Sequence, residues 1–285
     1  ILPFRSVRNM SLSKVYKLIK WPEDPKTPAG MKRYQEAIKR MELLLEHEWV
    51  KDFMERKYLK ILDVCSGTGI GGVALAKTLL KRGIKIYLSL VDIREEALKI
   101  AKEWAYKELQ HEVHVYQMDA KEVHKLKEKF DIVLMYGFSA PHFNPWDLIK
   151  LLSSVSSCIK ENGIFIIEET DRRYRIFLVG YRDPVVENAN EKSLTMSVHV
   201  GYDFKKGTIK RAYMDLSKRG EIAYLDTFFW GLAELAALTW IFFEDVDMIQ
   251  IRGTLHFIIA KNPRNKFSPE EFYKNPKLIT AVEQT

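Results

Sequence analysis

The run ILDVCSGTGIGG, residues 61–72, gathers residue types that bind a nucleoside-like ligand. Gly67, Gly69 and Gly72 satisfy the Gly-x-Gly-x-x-Gly pattern, in which glycine lets the backbone turn tightly and come close to a ligand. Asp92 follows where an acid accepts two hydrogen bonds from a ribose diol. A nicotinamide or flavin dinucleotide accounts for that much. Asp63 fits it poorly, because a carboxylate ahead of the glycines repels a pyrophosphate and favours a ligand with cationic groups. The helix expected over 70–80 offers unpaired backbone amides to an anionic part of the same ligand. A third acid, Asp119 in VYQMDA, ends another apolar run; taken singly it reads equally as a turn or capping residue.

Candidates for proton transfer are fewer. His142 is the histidine of MYGFSAPHFNPWD, set among small and aromatic residues, and imidazole exchanges protons near neutrality; packing against Phe143 is its structural alternative. Tyr136 lies at the start of that stretch, and Glu168, Glu169 and Asp171 end the next apolar run, as catalytic acids or as solvated and helix-capping ones. His111 and His114 flank a strand start without a third ligand nearby, so no metal is expected there. Cys65 and Cys158 have the spacing of neither a bridge nor a metal knuckle, which points to a reducing, cytoplasmic setting.

Short β-rich runs at 61–64, 86–91, 113–117, 132–136 and 164–167 alternate with amphipathic segments, the pattern of βαβ units around a parallel sheet. In the fourth intervening segment Leu148, Leu152, Val155 and Ile159 form one helical stripe, and Asn162-Gly163 reads as its left-handed cap. The alternation then breaks. Residues 194–203 alternate apolar and polar side chains, KKG turns the chain, and 208–216 returns, so 172–226 reads as an inserted β-hairpin region. The apolar run FFWGLAELAALTWIFF reads as a buried helix, too short for a membrane span. The final runs, 246–251 and 255–260, are joined by three residues, too few for a helical crossover, and must pair antiparallel. Ahead of the sheet, WPEDPKTPAG reads as loop and 31–50 as a helix.

With 285 residues, 47% of them hydrophobic, the chain can bury a full core, which excludes intrinsic disorder. The net charge of +7 is modest and mixed in sign, permitting an acidic partner without requiring one. The N-terminal stretch lacks the apolar core of a signal peptide.

A parallel sheet finished by an antiparallel hairpin, joined to a glycine loop preceded by an acid, resembles the class I S-adenosylmethionine-dependent methyltransferases over residues 59–261 apart from the insert. LDVCSGTG is similar to that family's first motif, an acid followed by Gly-x-Gly-x-Gly, with Cys65 where the first glycine is expected. The resemblance implies an α/β fold with a seven-stranded, mostly parallel sheet, helices on both faces and a terminal antiparallel hairpin. It implies S-adenosyl-L-methionine as cofactor, held by the loop Cys65, Ser66, Gly67, Thr68 and Gly69. Asp63 would lie near the methionine amino group, Asp92 at the ribose and Asp119 at the adenine amino group. Ile93, Met118 and Ala120 would surround the ring, and Tyr136 would stand at the end of strand four. Residues 1–58 then form a loop and helical cap, 59–171 with 227–262 the core, 172–226 a lid and 263–285 a tail.

The same resemblance puts the acceptor beside the loops after strands four and five, with His142, Glu169 and Tyr136 as catalytic candidates. Asn144-Pro145-Trp146 is a partial echo of the Asn-Pro-Pro-aromatic signature of amino-group methylation. Tyr16, Trp21, Tyr34, Tyr174, Tyr181, Tyr202 and Tyr213 either line an acceptor pocket or form a satellite core. The leading expectation is a small-molecule acceptor. An RNA or protein acceptor is the alternative, from the cations Arg172, Arg173, Arg175, Lys205, Lys206, Lys210 and Arg211 of the insert; a non-catalytic module that binds the cofactor is a third.

Overall fold

The computed structural model describes residues 4–190, 193–217 and 221–280. Residues 1–3 and 281–285, the ends of the two flanking segments, and 191–192 and 218–220 within the insert lie outside the described residues. Two helices open the chain, α1 (Phe4–Ile19), which the sequence pattern did not announce, and α2 (Pro28–Leu44). The prolines of WPEDPKTPAG do not keep that whole stretch in a loop. Pro28 is the first helical residue, where the missing amide hydrogen would be unpaired anyway, and Thr27 caps the helix by accepting from the Gly30 amide at 3.1 Å. The single helix expected over 31–50 is two, because α2 stops at Leu44 and His47 caps a separate short turn, α3 (Glu48–Lys51).

From there β1 (Tyr58–Val64), α4 (Ile70–Leu80), β2 (Lys85–Asp92), α5 (Glu95–Leu109) and β3 (His114–Gln117) build one half of the core. A 3-10 turn (Ala120–Leu126), β4 (Phe130–Met135), α6 (Pro145–Cys158) and β5 (Ile159–Thr170) build the other. The insert holds α7 (Arg172–Val179) and β6 (Val185–Asn190), β7 (Ser193–Asp203), β8 (Thr208–Asp215) and β9 (Ile222–Thr227). The core resumes with α8 (Leu232–Phe242), β10 (Phe243–Arg252) and β11 (Leu255–Pro263).

The main sheet runs β10-β11-β5-β4-β1-β2-β3, parallel from β5 to β3, with β10 and β11 antiparallel as the short connection required. Strand order reverses between β1 and β4, which opens a crevice at the strands' carboxyl ends. β1 is buried on both faces: Ile61 faces α2, α4 and α5, and Leu62 faces α6 and α8, so a continuous apolar run replaces alternation.

Three local readings differ from the sequence pattern. α6 ends at Cys158 and Ile159 already belongs to β5, so the helical stripe keeps Leu148, Leu152 and Val155 only. Gly163 lies inside β5 without a positive φ; a Cβ there would sit 2.9 Å from the Asp131 carbonyl, so glycine serves close packing and not a left-handed cap. The helix α8 is a surface helix, with Leu232, Leu235 and Phe242 buried but Trp240 and Ile241 exposed. Among the described residues, no helix is long and apolar enough to cross a membrane.

The expected hairpin is the centre of a larger antiparallel sheet, β6-β7-β8-β9. Its β7–β8 pairing runs from Thr195 opposite Asp215 to Asp203 opposite Thr208. Along β7 the polar Ser193, Thr195 and Ser197 are buried while Leu194 and Val200 are exposed. The polar side is covered because α1 lies across it: Val15 and Leu18 pack on Tyr213 and Ala223, and Thr195 donates to the Leu18 carbonyl at 2.8 Å. Trp146 at the start of α6 donates to the Lys205 carbonyl at 2.9 Å, tying the hairpin tip to the core.

Candidate functional site

A cavity of about 900 Å³ opens at the carboxyl ends of β1 to β4. Its floor is the loop 65–68 and the first turn of α4; Asp92, Ile93, Met118, Asp119, Ala120 and Tyr136 stand along the strand ends. Tyr16, Trp21, Glu23 and Arg33 from the N-terminal segment, with Lys206, Thr208, Lys210, Tyr224, Leu225 and Asp226 from the insert, complete the wall.

The loop is shaped by three left-handed residues, Cys65 (φ 56), Gly67 (φ 54) and Gly69 (φ 81). Cys65 thus keeps the backbone conformation of the glycine it replaces, at a cost of about 1–2 kcal/mol for a side chain in that region. Gly69 turns away from the cavity, where a Cβ would meet Leu90 at 3.2 Å. Gly72 has no part in approaching a ligand either; its Cβ would lie 2.8 Å from Asp63, so it lets α4 settle on β1. At Gly71 an added Cβ would fall 2.4 Å from the Tyr136 Cβ. Gly71→Ala is therefore expected to destabilise the fold by about 1–3 kcal/mol, the usual cost of overpacking, measured as a lowered urea midpoint at constant slope.

Asp92 organises the site. Its Oδ2 accepts from the Gly67 amide at 2.7 Å and its Oδ1 from the Arg94 amide at 2.8 Å, fixing loop and strand end together. Burial raises its carboxyl above the ordinary range, and the Arg94 guanidinium opposes that rise. Arg94 reaches across to the cap, donating to both Glu23 oxygens at 2.8 and 2.9 Å, and stacks 4.0 Å from the centre of the Tyr16 ring. Thr68 donates to the Glu23 carbonyl, so the cap is tied to the glycine loop as well. Asp119 caps the following 3-10 turn by accepting from the Lys121 amide at 3.0 Å, the capping role weighed from the sequence, and also lines the cavity.

Two expected acids stand elsewhere as well. Asp63 is not on the cavity wall: it is 1% exposed, its Oδ2 accepts from the Gly72 amide at 2.7 Å, and its Oδ1 has no hydrogen-bond partner among the described residues. Burial, reinforced by nearby Asp92, pushes its carboxyl up to about 8 against the pull of the Gly72 amide. It anchors the first turn of α4 through that amide. Glu169 is fully buried beside Arg172 at 3.3 Å, outside the cavity, with burial raising it to about 6. Its neighbour Glu168 is buried too, and Asp171 caps α7 by accepting from the Tyr174 amide at 2.7 Å.

His142 does line the cavity, 6.4 Å ring to ring from Tyr16. Its turn is stapled from behind: Trp230 Nε1 donates to the Ala140 and Phe143 carbonyls at 3.1 and 3.0 Å, and the Phe228 amide to the Pro141 carbonyl at 3.0 Å. Tyr136 also faces the cavity and receives a 3.4 Å hydrogen bond from Arg40. Asn144 is the cap of α6, accepting from the Trp146 and Asp147 amides, which explains the partial Asn-Pro signature by helix geometry.

Of the aromatics weighed for an acceptor pocket, Tyr16 and Trp21 line the cavity; Tyr34, Tyr174, Tyr181, Tyr202 and Tyr213 do not, and Tyr213 sits in the satellite core. Glu23, Arg33 and Arg94 were not found from the sequence. Arg94 alone carried a signal, its place two residues after Asp92.

Residues 61–163 match a family model described as a methyltransferase domain. No curated protein matches the chain in sequence. Among solved structures the chain is similar to the PH0226 protein of Pyrococcus horikoshii OT3, with a TM-score of 0.60 at 20% identity, covering 87% of this chain and 98% of that one. It is similar to an S-adenosylmethionine-dependent methyltransferase of Clostridium acetobutylicum (TM-score 0.57, 13% identity, 78% and 94% covered). The CcbJ methyltransferase of Streptomyces caelestis gives 0.57 at 14% identity, with 85% and 99% covered. At these identities the likeness is one of fold.

Proposed function

We propose, from the premise that the chain carries a class I methyltransferase domain, that it transfers a methyl group from S-adenosylmethionine to a small-molecule acceptor held beneath the N-terminal cap and the insert. The observation that carries this reading is the shared cavity, with Asp92, Asp119 and the glycine loop on one wall and the cap and insert opposite. When bound, the donor supplies an electrophilic methyl group on a sulfonium. The chain's residues fit such a ligand. Asp92 Oδ1 takes the Arg94 amide and faces the Arg94 guanidinium at 3.4 Å, while Oδ2 takes only the Gly67 amide, and a carboxylate has about four acceptor sites, so capacity remains for a ribose hydroxyl. Ile93, Met118 and Ala120 form an apolar wall for a purine, and Asp119 borders it as an acceptor.

The protein's work is alignment and exclusion of water, which the cap and insert perform by closing the far side. His142 is assigned the proton of an acceptor nitrogen or hydroxyl, and Tyr136 borders the same space. The RNA alternative is weakened by the insert's own charges. Arg211 is buried and donates to the Ser197 hydroxyl and to the Arg182, Asp183 and Ser197 carbonyls. Arg172, Arg173 and Lys206 are ion-paired with Glu169, Glu234 and Asp203. A cytoplasmic location belongs to the same reading, supported by the two unbridged cysteines.

Calorimetry with S-adenosylmethionine, S-adenosylhomocysteine and NAD tests the cofactor: the first two are expected to bind and NAD not. Asp92→Ala is expected to weaken S-adenosylhomocysteine by roughly 10- to 150-fold, the 1.5–3 kcal/mol of hydrogen bonds to a charged group. Unchanged affinity would remove the ribose assignment. Methyl transfer from labelled donor into the small-molecule fraction of a cell extract, and not into its RNA or protein, tests the acceptor class; no transfer into any fraction would leave the binding-module reading.

A further inference from the structure

Among the described residues three arginines reach the cavity or stand just behind its wall, and two are already neutralised. Arg94 is held by Glu23 and Asp92, and Arg40 by Glu168 at 2.5 Å. Arg33, seven residues before Arg40 and so on the same face of α2, lines the cavity itself. Its Nη2 lies 2.8 Å from where a Cβ on Gly137 would be, and its guanidinium carbon 5.8 Å from the centre of the Trp21 ring. No ion pair or hydrogen bond among the described residues engages this guanidinium. Gly137 and Trp21 therefore border a charged, planar fork whose donors remain available.

Its place in the cavity says which kind of group it awaits. Asp92 and Asp119 stand at the ends of β2 and β3, on the side assigned above to ribose and adenine. Arg33 stands at the far end of the crevice, beside Tyr136 and Gly137 after β4; burial raises both Tyr136 and Glu168, and the nearby Arg33 guanidinium is among the charges that oppose that rise. The nearby carboxylate, Glu168, is already taken by Arg40 and the Gly137 amide, so this end keeps a net positive charge. Among the described residues the other lysine or arginine of the wall without an ion pair, Lys210, is opposite Asp226 across the β8–β9 pairing.

We propose that Arg33 is the counter-charge for the α-carboxylate of the donor's amino-acid moiety, a role that rests on the S-adenosylmethionine reading. A guanidinium matches a carboxylate with two parallel hydrogen bonds, and in a half-enclosed site that pairing is worth more than the loop amides alone supply.

Calorimetric titration of the wild type and of Arg33→Ala tests this with two ligands: S-adenosylhomocysteine, and its decarboxylated analogue, which keeps the ammonium and the nucleoside. The wild type is expected to prefer S-adenosylhomocysteine by roughly 10- to 150-fold, the scale of one charge-assisted pair. In Arg33→Ala that preference is expected to vanish while affinity for the decarboxylated analogue stays at the wild-type value, which also certifies the fold. An alanine variant that keeps the full preference would overturn the proposal, including the case in which only the KM for the acceptor rises and Arg33 serves an acceptor anion instead. A wild type that binds neither ligand would overturn the cofactor reading itself, a result distinct from either outcome for the variant.

Discussion

His142→Ala is expected to slow methyl transfer about 100-fold or more, the scale of losing a general base, while S-adenosylhomocysteine affinity stays within twofold of the wild type. The expectation follows from how the side chain is carried. Its turn spans Ala140–His142, and the Trp230 indole and Phe228 amide hold that turn from the side away from the cavity. A base on a stapled turn loses little entropy on reaching its target, so its removal costs proton transfer more than placement. The ribose and adenine contacts assigned to the donor come from β2 and β3 and are untouched. For an acceptor that must lose a proton, the alanine variant loses the contribution of the imidazole as proton acceptor. A variant at wild-type turnover across the pH range would remove His142 from the mechanism. Attention would then pass to Tyr136, since Glu169 is outside the cavity.

Glu168→Ala is expected to cost about 3–5 kcal/mol of folding stability, the usual consequence of stranding one member of a buried ion pair. Glu168 has 0% of its side chain exposed and Arg40 20%, at 2.5 Å. Its second oxygen accepts from the Gly137 amide at 3.1 Å, and Arg40 also donates to the Tyr136 hydroxyl at 3.4 Å. One carboxylate thus joins α2, the end of β4 and the middle of the sheet. Removing it leaves a guanidinium and an amide with no partner to replace it, and the cap loses its main polar tie to β5. The measurement is equilibrium urea unfolding of wild type, Glu168→Ala and Glu168→Gln. Gln retains the acceptor for Gly137 and should fall between the other two. A midpoint for the alanine variant within error of the wild type would mean the pair is compensated by solvent.

The alternation of apolar runs was enough to establish the α/β class, the seven strands of the main sheet and the antiparallel end, because each depends on local periodicity and connection length. The positions of Cys65, Gly67, Asp92 and Asp119 along the chain likewise located the loops that line the cavity, since in a parallel sheet the ends of successive strands must converge. What those residues touch was not legible. Asp63 and Glu169 look in sequence like the cavity-lining Asp92 and Asp119, yet both are buried off the cavity wall, because a strand turns successive side chains to opposite faces and packing decides which of them reaches the cavity. The buried polar side of β7 was hidden for the same reason: alternation reveals two faces but not which one another element covers, and here α1 covers the polar one. Arg33, Glu23 and Arg94 meet in the cavity only because the cap folds back over β1 and β2. Side chains so far apart in the chain are brought together by packing between elements, which a linear pattern does not contain.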